Sequence, residues 1–157
     1  MKEDKYFQKS KDVALAIDLA IEAMTNYPPK ILSSDSLNHT ISVYADYKES
    51  ALNPEPRYRN LKSLSYISND ILVYFQEAGG KDVDEFWKKI KEHDLPYKRE
   101  NKLLKILKRK KINNDIEYDF VIDTIVPYQQ EGLINDDEVL LLNSFIKDFE
   151  DKAKKKR

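Results

Sequence analysis

Val13-Ala14-Leu15-Ala16-Ile17-Asp18-Leu19-Ala20-Ile21-Glu22-Ala23-Met24 is a run with no glycine or proline and only two charged residues. Val13, Ile17, Ala20, Ile21 and Met24 recur at helical spacing, and Ala14, Leu15, Ala16, Leu19 and Ala23 widen the apolar surface almost all round. Asp18 and Glu22 alone make a polar stripe. Such a pattern predicts a central helix touched on several sides. It starts at Lys5 or Ser10 and stops at Asn26, because Tyr27-Pro28-Pro29 follows and residues before proline avoid α geometry.

The rest of the chain follows the same rule. Among 157 residues there are three glycines (Gly79, Gly80, Gly132) and six prolines, five of which (Pro28, Pro29, Pro54, Pro56, Pro96) lie between apolar-periodic segments. Tight hairpins lean on Asn-Gly or Asp-Gly, and neither dipeptide occurs. The fold class predicted is all-α, a compact bundle of about six to seven helices with short loops. No repeat of constant period and no linker interrupts it, so 1–151 is taken as one helical domain. Residues 152–157 are taken as a basic, disordered C-terminal tail.

Residues 34–52 are the ambiguous stretch. Leu37, Ile41, Tyr44, Ala45 and Leu52 fit a helix with Ser33, Ser34 or Asp35 as N-cap, whereas Ile41, Val43, Ala45 and Tyr47 alternate as a strand would. The helical surroundings favour a helix. Leu61, Leu64, Ile71, Leu72 and Phe75 place a third helix within Arg57–Ala78, ended by Gly79 as its left-handed residue. Asp82 with Glu85 resembles a capping box ahead of Val83, Phe86, Trp87 and Ile90, and Leu95-Pro96 closes that helix. Lys98–Lys111 forms a fifth, with Leu103, Leu104, Ile106 and Leu107 on one side. Asn114 with Glu117 and Asn135 with Glu138 cap two more. Their buried faces are Tyr118, Val121, Ile122 and Ile125, then Val139, Leu142, Phe145, Ile146 and Phe149, and Pro127 kinks the sixth helix or ends it early.

Composition removes several functional classes. No apolar run reaches the roughly 18–20 residues a bilayer crossing needs, so no membrane partner is expected. The Met1–Lys5 start runs into a charged helix rather than a signal peptide's apolar region. A soluble, cytoplasmic protein is the expectation. With no cysteine, disulfides and thiolate-bound zinc are excluded. His39 and His93 are the only histidines and stand in no metal-ligand motif. Asp115, Asp119 and Asp123, at i, i+4 and i+8, can in principle attract Mg²⁺ or Ca²⁺, but a solvated acidic face explains them more simply. His39 near Ser34, Ser36 and Thr40 is the nearest approach to a nucleophile with a base, and no mechanistic motif surrounds it. Gly79-Gly80 has no following Lys-Ser/Thr for a phosphate cradle. No catalytic residue, metal or cofactor is therefore assigned.

Charge carries the most information. Lysine and arginine total 27 against 28 acids, yet 98–111 hold eight basic residues against Glu100, while 112–151 hold Lys147 against eleven acids. On a helix over 98–111, Lys98, Lys102, Lys105 and Arg109 form one basic stripe. Either the acidic neighbouring helix neutralises it, through surface pairs worth about 0–1 kcal/mol each, or it attracts a polyanion. Neutralisation is the simpler outcome, since the sign reverses between adjacent helices. A helix-turn-helix of Asp82–Asp94 and Lys98–Lys111 would put Tyr97, Arg99, Asn101 and Lys102 near the start of a recognition helix. Its turn, with Pro96 and no glycine, is atypical.

Ten tyrosines are the other excess, with Tyr44, Tyr47, Tyr58, Tyr66 and Tyr74 in the second and third helices. Tyr66 and Tyr74 fit a core lining, and Trp87 beside Phe86 reads as core. Arg57-Tyr58-Arg59, after two prolines, resembles an exposed contact site of the type enriched at interfaces. The expected function is non-catalytic binding of another protein, in the manner of immunity proteins, antitoxins or small adaptors. The residues assigned to it are Arg57, Tyr58, Arg59, Lys98, Lys102, Lys105 and Arg109. The alternative is nucleic-acid binding through helix 98–111 and the basic tail.

Overall fold

The computed structural model describes residues 4–155, and among them it is all-helical, with seven α-helices, one short 3₁₀ turn and no strand. The helices are α1 (Lys5–Asn26), α2 (Ser34–Leu52), α3 (Leu61–Glu77), α4 (Lys81–Glu92), α5 (Leu104–Arg109), α6 (Asp115–Gln130) and α7 (Asp136–Lys155), with the 3₁₀ turn at Pro56–Tyr58. The described residues fall into two compact units: those up to 77 with 81–98, and 78–80 with those from 99 onward. The sequence carries no linker between them, which is why 1–151 read as one domain.

In the first unit α1 is central, packing against α2, α3 and α4. Val13, Ala16, Ile17 and Ala20 are wholly buried, while Asp18 and Glu22 stay in solvent. Asp4 caps the helix by accepting from the Tyr6 amide at 3.0 Å. The ambiguous stretch 34–52 is helical, capped by Ser33, whose hydroxyl oxygen accepts from the Ser36 amide at 3.1 Å. Long-range side-chain bonds to backbone carbonyls tie the helices together. The Tyr6 hydroxyl donates to the Ala51 carbonyl at 2.7 Å and the Tyr44 hydroxyl to that of Ile71 at 2.8 Å. Trp87 Nε1 donates to the Phe75 carbonyl at 2.8 Å, beside the stacked Phe75 and Phe86 rings with centroids 4.0 Å apart. Burial of each such side chain contributes about 1.5–3 kcal/mol.

The capping box foreseen at Asp82 does not form. Asp82 lies within the first turn of α4, buried to 3% exposure, and its Oδ2 accepts from the Tyr74 hydroxyl at 2.5 Å. Burial pushes its carboxyl above the ordinary aspartate value, against the opposing pull of that hydrogen bond. Tyr66 is also misplaced by periodicity: it is exposed, not part of the core.

The second unit packs Leu103, Ile106, Ile112, Val121, Ile125, Tyr128, Ile134 and Leu142 into one core, completed by Phe145 and Ile146. Asn114 and Asn135 cap α6 and α7 as their spacing predicts, accepting from the Glu117 and Glu138 amides at 2.9 and 2.8 Å. Pro127 sits inside α6, which continues to Gln130. Helix α7 continues through Lys152, Lys154 and Lys155, where a disordered tail is expected from composition. Cations in a last turn face the negative end of the helix dipole and favour that continuation. Residues 156 and 157 lie outside the described residues.

Gly79 does not take the left-handed conformation assigned to it; Gly80 has the positive φ, at 129°. Gly79 serves a close approach instead, since a Cβ there would stand 2.8 Å from Asp123 Cβ and 3.1 Å from Thr124 Cγ2. Gly79→Ala is therefore expected to lower stability by about 1–3 kcal/mol, read as a shift in the urea midpoint. For Asp82 the sign is opposite. A carboxyl whose folded pKa is raised stabilises the fold below the ordinary value, and that contribution is lost as pH rises through the raised one. D82N should thus be more stable than the parent at pH 7 and lose that advantage below about pH 4, measured as unfolding midpoints across pH.

Candidate functional site

Pro54 and Pro56 fix the chain between α2 and α3. Glu55, preceding Pro56, is extended, and the Tyr58 amide closes the 3₁₀ turn onto the Glu55 carbonyl at 2.8 Å. Asn60 then joins turn to helix: its Nδ2 donates to the Arg57 carbonyl at 3.2 Å and its Oδ1 accepts from the Ser63 amide at 2.9 Å. The Arg57-Tyr58-Arg59 triplet therefore has a determined backbone.

Its two arginines have different employments. Arg59 pairs with the Asp4 carboxylate and places its guanidinium carbon 4.8 Å from the Tyr6 ring centroid. It ties the turn to the start of α1, and its hydrogen bond holds the Asp4 carboxyl below the usual range. Arg57 points outward, pairs with Glu55 at 3.1 Å and lies over the Tyr58 ring at 4.6 Å. Tyr58 is 50% exposed. Phe7, Leu52 and Leu61, on the three helix ends that the Arg59–Asp4 and Tyr6–Ala51 bonds tie to this turn, are also exposed. Lys11 Nζ stands 4.2 Å from the Phe7 centroid. Tyr58 was legible from its proline context; Leu52 and Leu61 were not, because each fits a core periodicity, and Phe7 lies ahead of the apolar run that marks α1.

The basic stripe is not built. In place of a helix over Lys98–Lys111, residues 93–103 are non-helical and α5 spans six residues. Helix α4 closes in a Schellman motif, with the Leu95 amide bonded to the Ile90 carbonyl and the Asp94 amide to that of Lys91, both at 3.1 Å. Asn101 then folds its own backbone, its Oδ1 accepting from the Leu103 amide at 3.0 Å while its Nδ2 donates to the Leu133 carbonyl at 2.9 Å. Such side-chain bonds compete with helix. The Tyr128 hydroxyl donates to the Glu100 carbonyl at 3.2 Å and accepts from the Lys102 amide at 3.3 Å. The helix-turn-helix is thereby excluded.

The would-be base readers are accordingly elsewhere. Arg99 is buried to 7% exposure, bonded to Glu131 at 2.7 Å with its guanidinium carbon 4.8 Å from the Tyr128 centroid. The Tyr97 hydroxyl is enclosed with no hydrogen-bond partner among the described residues, and burial pushes it up to about 12. Lys98 belongs to the first unit; Lys102, Lys105 and Arg109 belong to the second. Lys102 pairs with Glu100 at 2.9 Å. Arg109 pairs with Glu117, whose carboxyl that bond holds below the ordinary range. Lys98 and Lys105 have exposed side chains. Neutralisation within the fold thus accounts for Lys102 and Arg109.

Among the described residues no group of three or more histidines or carboxylates is placed to hold a metal ion, and no helix is long and apolar enough to cross a membrane. Compared with known proteins, the chain matches no family model, no curated protein and no solved structure.

Arg99→Ala removes a buried cation from a partly exposed partner and unties the 99–103 backbone. A loss of about 2–3 kcal/mol is expected, against less than about 0.5 kcal/mol for Lys105→Ala. Chemical denaturation of the two variants distinguishes them.

Proposed function

We propose that the protein acts by binding another protein through the Arg57–Tyr58 corner of its first unit, without catalysis of its own. The observation carrying this is the pre-stacked Arg57–Tyr58 pair, exposed yet held on a backbone determined by Pro56, Asn60 and the Arg59–Asp4 tie. Side chains already ordered lose less freedom on association, and tyrosine and arginine dominate interface hot spots. Phe7, Leu52 and Leu61 of the same unit are exposed apolar side chains that a partner seated on the pair could also reach, and Glu55 adds a charge beside Arg57. The helical fold suits a cytoplasmic factor of immunity, antitoxin or adaptor type, an analogy of architecture rather than of site. Nucleic acid is the less favoured partner, because Lys102 and Arg109 already face carboxylates.

Affinity capture from the native host with the parent chain and with R57A/Y58A tests the proposal. The parent should retain a specific protein that the variant binds at least tenfold more weakly, with unchanged thermal stability; tenfold corresponds to about 1.4 kcal/mol. Equal retention by the variant would sink it. Retardation of DNA or RNA at low salt, abolished by K105E/K108E, would put nucleic acid in the partner's place.

A further inference from the structure

We infer that the outer face of the α6–α7 pair is a second docking surface, built for a cationic, amphipathic segment of a partner protein. Its register follows from bonds at both ends of the pair. Tyr118 stacks on Phe149 with centroids 5.1 Å apart and its hydroxyl donates to Glu150 at 3.0 Å, while Gln129 Nε2 donates to Asp136 at 2.8 Å. The helices are therefore antiparallel, with Val126 level with Leu140 and Ile122 level with Asn143 and Ser144. Tyr118, Ile122 and Val126 lie at i, i+4 and i+8, one row along α6. On α7, Leu140, Asn143, Lys147 and Glu150 lie at i, i+3, i+7 and i+10, also one row. The Tyr118–Glu150 bond sets the two rows side by side.

Three branched aliphatics stand exposed on these rows, Ile122 at 48%, Val126 at 57% and Leu140 at 69%, with Asn143, Lys147 and Glu150 completing the α7 row. A cluster of branched aliphatics left in water on neighbouring rows marks an association site more than a scatter of single residues does. Charge identifies the occupant. Asp115 and Asp119 precede Ile122 and Val126 along the same exposed side of α6, and among the described residues neither is held in an ion pair. Residues 112–151 hold eleven acids and Lys147, and of those acids Glu117 and Glu131 are met by Arg109 and Arg99. An apolar strip bordered by unneutralised carboxylates complements an amphipathic segment bearing lysine or arginine beside its apolar face, and repels an acidic one. This surface is distinct from the Arg57–Tyr58 corner, which lies in the other unit.

The test uses the full chain and two synthetic helical peptides of about 18 residues, five turns, sharing one leucine pattern. One carries lysine at its polar positions and the other glutamate. Calorimetric titration should show binding of the lysine peptide, weakening as salt rises, and none of the glutamate peptide. I122S/V126S/L140S should weaken that binding at least tenfold, and D115K/D119K, which leaves the apolar rows intact, should weaken it independently. R57A/Y58A should leave it unchanged, which separates failure here from failure of the first surface. Equal binding of both peptides, or unaltered binding by the two α6–α7 variants, overturns the inference. So does sedimentation showing that the parent self-associates through this face and the triple variant does not.

Discussion

A guanidinium cannot be buried cheaply, and the arrangement of the second unit follows from how Arg99 is accommodated. Its cost is offset by the Glu131 carboxylate and the Tyr128 ring, groups near the C-terminal end of α6. Once Arg99 turns inward, the neighbouring backbone can no longer follow a helix whose charged stripe faces water. Asn101 and Tyr128 take up the freed amides and carbonyls, and Leu103 and Ile106 enter the core. One buried cation thereby converts what periodicity describes as a basic amphipathic helix into an anchored loop followed by a short helix.

Legibility divides along the same line. Helix α1 was readable because its apolar residues outnumber any other assignment, and α2 because its strand-like alternation stood in helical company. Caps at Asn114 and Asn135 were readable because the side chain and the amide it satisfies lie three residues apart. Segment 98–103 was not, since its partners, Tyr128, Glu131 and Leu133, lie about thirty positions away. Two helix ends were equally hidden: Asp94 and Lys110 adopt φ of 54° and 63°, conformations that glycine usually announces. Asp82 misled for a related reason. Its spacing to Glu85 is that of a cap, but Tyr74 claims its carboxylate.

At the Arg57–Arg59 turn, sequence pointed to an exposed segment but could not apportion its side chains. Prolines and aromatic-cationic composition pointed to exposure, and Tyr58 is exposed. Only the fold distinguishes Arg59, spent on Asp4 and Tyr6, from Arg57, which lies over Tyr58. The distinction matters physically. An arginine that closes a structural tie acts through the shape of the turn, whereas one stacked at the surface can meet a partner without first being immobilised.

The sign reversal along the chain is consumed unevenly. Arg109 meets Glu117 at the start of α6 and Arg99 meets Glu131 just past its end, so basic segment and acidic helix neutralise each other at the two termini of that helix. These partly buried pairs also decide which charges remain to act at a distance. What remains on α6 is Asp115 and Asp119, beside aliphatic side chains that no element of the unit covers. A nearly neutral chain is left with a surface whose field is set by the charges that found no partner. Those charges on α6 are negative.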